Sequence, residues 1–352
     1  MPPTILSKIQ GTFLGCAIGD AMGMPVETMM HEEFLAITDA KGVVGFMDAK
    51  QRNLKSISNY KAGDTTDDWQ LTAAIVRSLI RMRCYKFEDT VNEQVKEFER
   101  CQNGWGRSTK SAFREIKEWF DSEGERGKAS WQPALAKEGS LGCGNGVAMK
   151  IAAIALHSCL DCVHPGNIAD QIMEQGRLTH PDTRASHAAY AVAWLLTNIF
   201  MRPLHTGIFG KEDVEKMLFL LILEVERIER LFPDPQMAED RISSRLRKIF
   251  HGKMLDNATD LRVKNGTSCF SLESIPFSMA TFLRHPTDFR AGVLEAVNAG
   301  GDTDSNAAMV GALIGANCGV EAIPEEWRNF RKEFEEPVRL GEEFHRVFFS
   351  IR

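Results

Sequence analysis

Residues 11–23 read GTFLGCAIGDAMG, with glycines at 11, 15, 19 and 23, each four residues from the last. On a helix that spacing puts all four on one stripe. A glycine inside a helix costs about 1 kcal/mol against alanine, so a stripe of them needs an offsetting contact. Near the other end, residues 306–319 read NAAMVGALIGANCG and repeat the spacing at Ala307, Gly311 and Gly315. Stripes without bulky side chains let helix backbones approach closely. The pattern predicts two tightly packed core helices.

Helical periodicity holds over most of the chain between them. Leu71, Ile75, Leu79 and Met82 recur every three or four residues, and so do Val214, Leu218, Leu221, Val225, Ile228 and Leu231. Segments 186–201, 239–250 and 288–298 also read as helix, and 148–156 is apolar nearly all round, as in a buried helix. Val43-Val44 is the one strand-like patch. No Pro/Gly/Ser-rich linker and no fixed repeat divides the chain. The expected fold is all-α, a single compact domain over 1–352. Two long irregular stretches, 30–65 and 120–146, read as loops, and the first as a lid over a binding cleft.

Composition excludes several classes. Of 352 residues, 43% are apolar and 26% charged, which rules out wholesale disorder, and 28 Gly with 13 Pro are too few for a low-complexity chain. The net charge of −6 argues against a nucleic-acid binder. The longest apolar run, Ala307–Ala316, falls well short of the ~18 residues a membrane span needs. Gly11–Gly19 follows Lys8 but is too glycine-rich, and Asp20 interrupts it too soon, for a signal peptide. A cytoplasmic protein is expected. Eight cysteines are too sparse for a disulfide scaffold. His157, Cys159, Cys162 and His164 crowd eight residues, too tight for an ordinary zinc finger, and read as reduced thiols at a helix end.

Carboxylates gather at two helix mouths. Gly63-Asp64-Thr65-Thr66-Asp67-Asp68 precedes the helix near Trp69, and Gly300-Gly301-Asp302-Thr303-Asp304-Ser305 precedes the second glycine-striped helix. Asp and Thr are good N-caps, but one cap needs one residue. The surplus oxygens, with no soft ligand beside them, suit Mg²⁺, Mn²⁺ or Ca²⁺. Neither cluster is an EF-hand loop. Capping and metal binding both remain open on these residues alone.

Three segments, GTFLGCAIGDAMGMPVE, TTDDWQLTAAI and NAGGDTDSNAAMVGALIGA, together with GCGNGVAMKIAAIAL at 142–156 and LTHPDTRAS at 178–186, resemble the ADP-ribosylglycohydrolase family, of the type that activates dinitrogenase reductase. The five stand in the family's order and span 11–316. The resemblance implies an all-helical domain with a cleft for two Mg²⁺ or Mn²⁺ ions. It implies Thr66, Asp67, Asp68, Asp302, Asp304 and Ser305 as metal ligands, with Glu27, Asp67 and Asp302 the catalytic group. Gly144, Asn145, Gly146, Val147, Ala148 and Met149 would line the ADP-ribose site, their N–H groups free for phosphate oxygens. His180 would contact the nucleotide end and Asp20 would support the ligand side; on their own the two also read as a loop histidine and a helix-end acid. Ser305 stands where threonine is common, and either hydroxyl can ligate.

The implied reaction is hydrolysis of a glycosidic bond at the anomeric ribose carbon, through an oxocarbenium-like transition state. Two metals would fix the ribose and a water, with Glu27 as acid/base or as a gate. The expected substrate is an ADP-ribosylated protein, linked through arginine, and the product ADP-ribose. Serine-linked ADP-ribose, O-acetyl-ADP-ribose, pyrophosphate cleavage and a non-catalytic crystallin-like relative are the alternatives.

Overall fold

The computed structural model describes residues 2–38, 40–49, 60–102, 104–127, 142–160, 165–202, 209–210, 213–234, 239–252 and 254–350. Its helices run in the order α1 Ile5–Gly23, α2 His31–Ile37, α3 Asp67–Met82, α4 Phe87–Arg100, α5 Arg107–Gly127 and α6 Ala152–His157. There follow α7 Pro165–Thr179, α8 Thr183–Phe200, α9 Val214–Leu231, α10 Ile242–His251 and α11 Ala258–Asn265. The chain closes with α12 Ser271–Arg284, α13 Phe289–Asn298, α14 Thr303–Cys318, α15 Glu325–Arg328 and α16 Glu335–Phe348. No strand occurs among the described residues, and one hydrophobic core draws side chains from Ile9 to Phe344.

The two glycine-striped helices are the axis of the fold, and they pack on each other. α1 is buried without a break from Ser7 to Gly23, and α14 from Thr303 to Asn317. They run antiparallel with their stripes in register: Gly11 faces Gly315, Gly15 faces Gly311, Gly19 faces Ala307 and Gly23 faces Thr303. A Cβ on Gly11 would lie 2.6 Å from the Gly315 carbonyl oxygen, and one on Gly19 would lie 2.6 Å from the Ala308 nitrogen. Backbone-to-backbone contact is what offsets the glycine penalty.

The remaining periodic segments form helices close to where they were expected. In α9, Val214, Leu218, Leu221, Val225 and Ile228 are buried, while Leu231 at the last turn is exposed. Val43 is not in a strand. The Asn298 side chain takes its N–H (2.8 Å) and donates to its carbonyl (2.9 Å), supplying the two bonds a neighbouring strand would make. The expected 30–65 loop contains α2, and its part 50–59 lies outside the described residues. The expected 120–146 loop is helical to Gly127, and 128–141 also lie outside them. So do Cys162 and His164; the other two members of that cluster serve packing, His157 edge-on to Phe348 and Cys159 donating to the Ala155 carbonyl. The cysteines of the described residues are free thiols. Among the described residues no helix is long and apolar enough to cross a membrane.

Candidate active site

The register of α1 on α14 decides where the acids meet. It brings the carboxyl end of α1, with Asp20, against the amino end of α14, with Asp304, and the Thr303 hydroxyl locks the junction by donating to the Gly23 carbonyl at 2.8 Å. α3 begins at the same place. Its N-cap residue, Thr66, caps nothing with its own hydroxyl. Asp20 does that work from another helix, accepting from the Thr66 N–H (2.9 Å), the Thr66 hydroxyl (2.8 Å) and the Trp69 N–H (3.0 Å). Asp20 is wholly buried and ties the end of α1 to the start of α3. The positive ends of α3 and α14 both open toward the carboxylates.

Two groups of carboxylates result, and they share a member. Oxygens of Asp20, Asp68 and Asp304 lie within 4.8 Å of one another, as do oxygens of Glu27, Asp302 and Asp304. The Ser305 hydroxyl donates to Asp68 Oδ2 at 3.3 Å, and Thr66 Oγ1, whose proton goes to Asp20, lies 3.2 Å from the same oxygen. Asp68 Oδ1 is buried with no hydrogen-bond partner. Asp67 lies outside both groups, accepting at 3.4 Å from the Gly106 N–H. Asp64 turns away altogether, to the Lys61 N–H and the Arg331 guanidinium. Glu27 is half-buried at the rim, on a loop tied to the Gly300-Gly301 turn by Thr28 N–H to Gly301 O (2.6 Å) and Gly301 N–H to Met29 O (2.9 Å).

Electrostatically this arrangement is incomplete. Burial raises every one of the aspartates 20, 67, 68, 302 and 304 above the ordinary carboxylate range, Asp20 and Asp67 to about 7. Neighbouring carboxylates add to burial at Asp68, where Asp20 is the first of them, and at Asp304, where Glu27 is. Removing charges from water and setting them side by side is unfavourable unless a counter-charge joins them. A bare buried oxygen on Asp68 and two triads of hard oxygen donors fit divalent metal ions.

The glycine-rich turn packs on His180. A Cβ on Gly144 would lie 2.9 Å from His180 Nε2, and one on Gly146 2.5 Å from Cε1, while Gly142 abuts Pro181. These glycines therefore make room for the buried imidazole, whose Nδ1 pairs with the Thr179 hydroxyl at 2.8 Å. Burial, with Lys150 beside it, pushes His180 down to about 3, so the ring is neutral. Within the turn, the Asn145 N–H is taken by the Cys269 carbonyl (2.9 Å) and is not free for a phosphate. The Val147 and Ala148 side chains are buried, and Met149 turns its Sδ to within 3.8 Å of the Ser305 hydroxyl. Below them Lys150 is fully buried, its Nζ bonded to Gln94 Oε1 at 2.9 Å.

Sequence reasoning missed a second layer. Asn145 turns its side chain to Asp302, and Ser274, Ser278 and Asn306 stand behind it. Two serines four residues apart on one face of the otherwise apolar segment 274–280 were the available signal.

A family model for ADP-ribosylglycohydrolase matches residues 1–350. Human "ADP-ribosylhydrolase ARH3" is 27% identical over 372 residues, spanning 97% of this chain and 94% of the relative. The "ADP-ribosyl-[dinitrogen reductase] glycohydrolase" of Rhodospirillum rubrum is 24% identical over 325 residues, spanning 92% and 90%. A solved structure described as an "ADP-ribosylglycohydrolase-related protein complex" superposes with a TM-score of 0.68 at 23% identity, over 98% of this chain and 99% of that one, and shares the fold.

Proposed function

The chain belongs to the ADP-ribosylglycohydrolase family, hydrolases acting on ADP-ribose linkages, and on that premise we propose that it releases ADP-ribose from ADP-ribosylated protein with the help of two Mg²⁺ or Mn²⁺ ions. The observation that carries the metal part is Asp304, common to both carboxylate triads. One carboxylate serving two neighbouring triads suits a pair of ions rather than one. Asp20, Asp68 and Asp304 would hold the first ion, with the Thr66 and Ser305 hydroxyls beside it. Glu27, Asp302 and Asp304 would hold the second. Asp67, on the same first turn of α3 as Asp68, would complete the set as a further ligand.

Bound there, the ions supply Lewis-acid chemistry, holding ribose hydroxyls and easing deprotonation of water. The protein does the rest. Its buried aspartates keep the centre in a fixed, largely dry frame, so little reorganisation accompanies the development of oxocarbenium charge. Glu27 sits where the buried centre meets solvent, within reach of Asp302 and Asp304. Of the acids here it has the easiest exchange of protons with water, and it serves as the acid/base group. The 144–149 backbone and the neutral His180 would receive the ADP moiety.

Arginine is the linkage assigned first, in keeping with a relative whose printed name is that of a glycohydrolase of an ADP-ribosyl protein. The cytoplasmic setting belongs to the same proposal. The test is release of ADP-ribose from arginine-ADP-ribosylated protein with Mg²⁺, with Mn²⁺ and with EDTA. Metal-dependent release supports both reaction and linkage. Turnover confined to serine-linked or O-acetyl substrates would overturn the linkage, AMP as product would overturn the bond cleaved, and silence on every substrate would make the chain non-catalytic.

A further inference from the structure

Behind Asp302 runs a chain of buried polar groups whose hydrogen-bond direction is fixed at one end. It begins at the Thr267 backbone carbonyl, which can only accept. The Asn306 side chain meets that carbonyl at 3.0 Å, so its NH₂ must face Thr267 and its Oδ1 must face the other way. There the hydroxyls of Ser274 (2.7 Å) and Ser278 (3.1 Å) converge on Oδ1, and both must donate. With its one proton committed, Ser274 Oγ can only accept from Asn145, 2.9 Å away. The NH₂ of Asn145 therefore faces this side, and the same nitrogen reaches Asp302 Oδ2 at 2.5 Å. Asn306, Ser274 and Ser278 are fully buried and Asn145 nearly so, so no bulk water can reverse the order. The chain of groups ends on a donor aimed at a carboxylate.

We infer that Asn306 and Ser274 are positioning residues for the metal centre: from behind, they fix which end of the Asn145 amide meets Asp302, and so tether one oxygen of Asp302. Neither touches the ions or a substrate. The inference rests on the metal reading of the site given above. In Asn306→Ala the proton of Ser274 is released and the order behind Asn145 is no longer fixed. The Asn145 NH₂ then keeps Asp302 as its one fixed acceptor, so the amide and the oxygen it tethers are held less firmly. Ser274→Ala removes the anchor directly and changes little volume. Ser278 lies off the path, because Ser274 still donates to Asn306 without it; Ser278→Ala is the matched control.

The measurement is Mn²⁺ affinity of the full-length protein by titration calorimetry, with far-ultraviolet circular dichroism and metal-free melting as fold controls. Groups that orient a metal ligand from behind are typically worth 10- to 100-fold in metal affinity. Asn306→Ala and Ser274→Ala are expected to weaken Mn²⁺ binding at least tenfold while staying helical, with Ser278→Ala within about threefold of wild type. Should Asn306→Ala not fold, Ser274→Ala decides by the same criterion. A folded Ser274→Ala that binds Mn²⁺ as wild type does, or a Ser278→Ala weakened equally, would overturn the inference. A wild-type protein that takes up no Mn²⁺ would instead overturn the metal reading on which it rests.

Discussion

Gly19→Ala puts the link between helix packing and chemistry to the test. In isolation the change favours the helix by about 1 kcal/mol. Here the new methyl would lie 2.6 Å from the Ala308 nitrogen and closer still to the Ala307 carbonyl oxygen, both backbone atoms of α14. Backbone cannot rotate aside, so α1 and α14 must part by roughly 1 Å to restore ordinary contact. Overpacking of this kind costs about 1–3 kcal/mol, leaving a net loss of up to about 2 kcal/mol after the helix gain. The larger effect falls on the site. Asp20 is the next residue, and it must keep its oxygens near those of Asp68 and Asp304 while capping α3. A displacement of about 1 Å in such a constellation costs on the order of 100-fold. Gly11→Ala meets a similar obstruction, 2.6 Å from the Gly315 oxygen, but eight residues earlier, about 12 Å along the axis. Thermal melting and Mn²⁺ titration of the two variants separate packing from geometry. Both should melt lower, and only Gly19→Ala should lose metal affinity by tenfold or more. A Gly19→Ala protein that melts at or above wild type and binds Mn²⁺ normally would refute the reasoning.

Three other outcomes follow from the same geometry. Asp68→Asn removes a buried charge crowded by other carboxylates, so in EDTA it should melt above wild type; wild type should gain about 2.7 kcal/mol from Mn²⁺ at a hundred times its Kd, and the variant under about 1 kcal/mol at the same concentration. A variant less stable in EDTA would argue against the uncompensated charge. Burial pushes His157 down to about 4 from 6.5, so its contribution to stability is present above pH 6.5 and is lost as pH falls through 4. His157→Leu should remove about 3 kcal/mol of that acid-side loss, read from urea melts at pH 7 and pH 4, and an unchanged pH slope would refute it. Gly146→Ala should cost about 1–3 kcal/mol and weaken ADP-ribose binding tenfold by pressing on His180, whereas Gly45→Ala, with nothing within 4 Å, should do neither. Equal behaviour of the two would show that the imidazole is not held by the turn.

The close approach of two glycine-striped helices was legible in residues 11–23 and 306–319, because spacing along a helix maps directly onto its faces, and the family was legible in five segments taken together in order. Oxygen-rich clusters at two helix mouths were legible for a similar reason: more acids stood there than a cap can use. The partnership of Asp20 with Asp68 and Asp304 was not, since it depends on the register of α1 against α14 and on an N-cap supplied from another helix. Nor was the contact of Asp67 with the Gly106 N–H, 39 residues further along the chain. The glycines at 144 and 146 suggested a phosphate turn, and packing shows that they clear space for His180. Asn298, taking the place of a strand beside Val43, lies some 250 residues away from it in sequence, beyond any local pattern.

The central claim is that Asp304 joins two metal positions, and counting bound Mn²⁺ per chain tests it most directly, by calorimetry with elemental analysis of the dialysed protein. Wild type should bind two ions, Asp302→Ala one, and Asp304→Ala neither with comparable affinity, all three retaining their helical circular dichroism. A wild type that binds a single ion, or an Asp304→Ala protein that gives up only one of two, would contradict the shared carboxylate and with it the dinuclear centre.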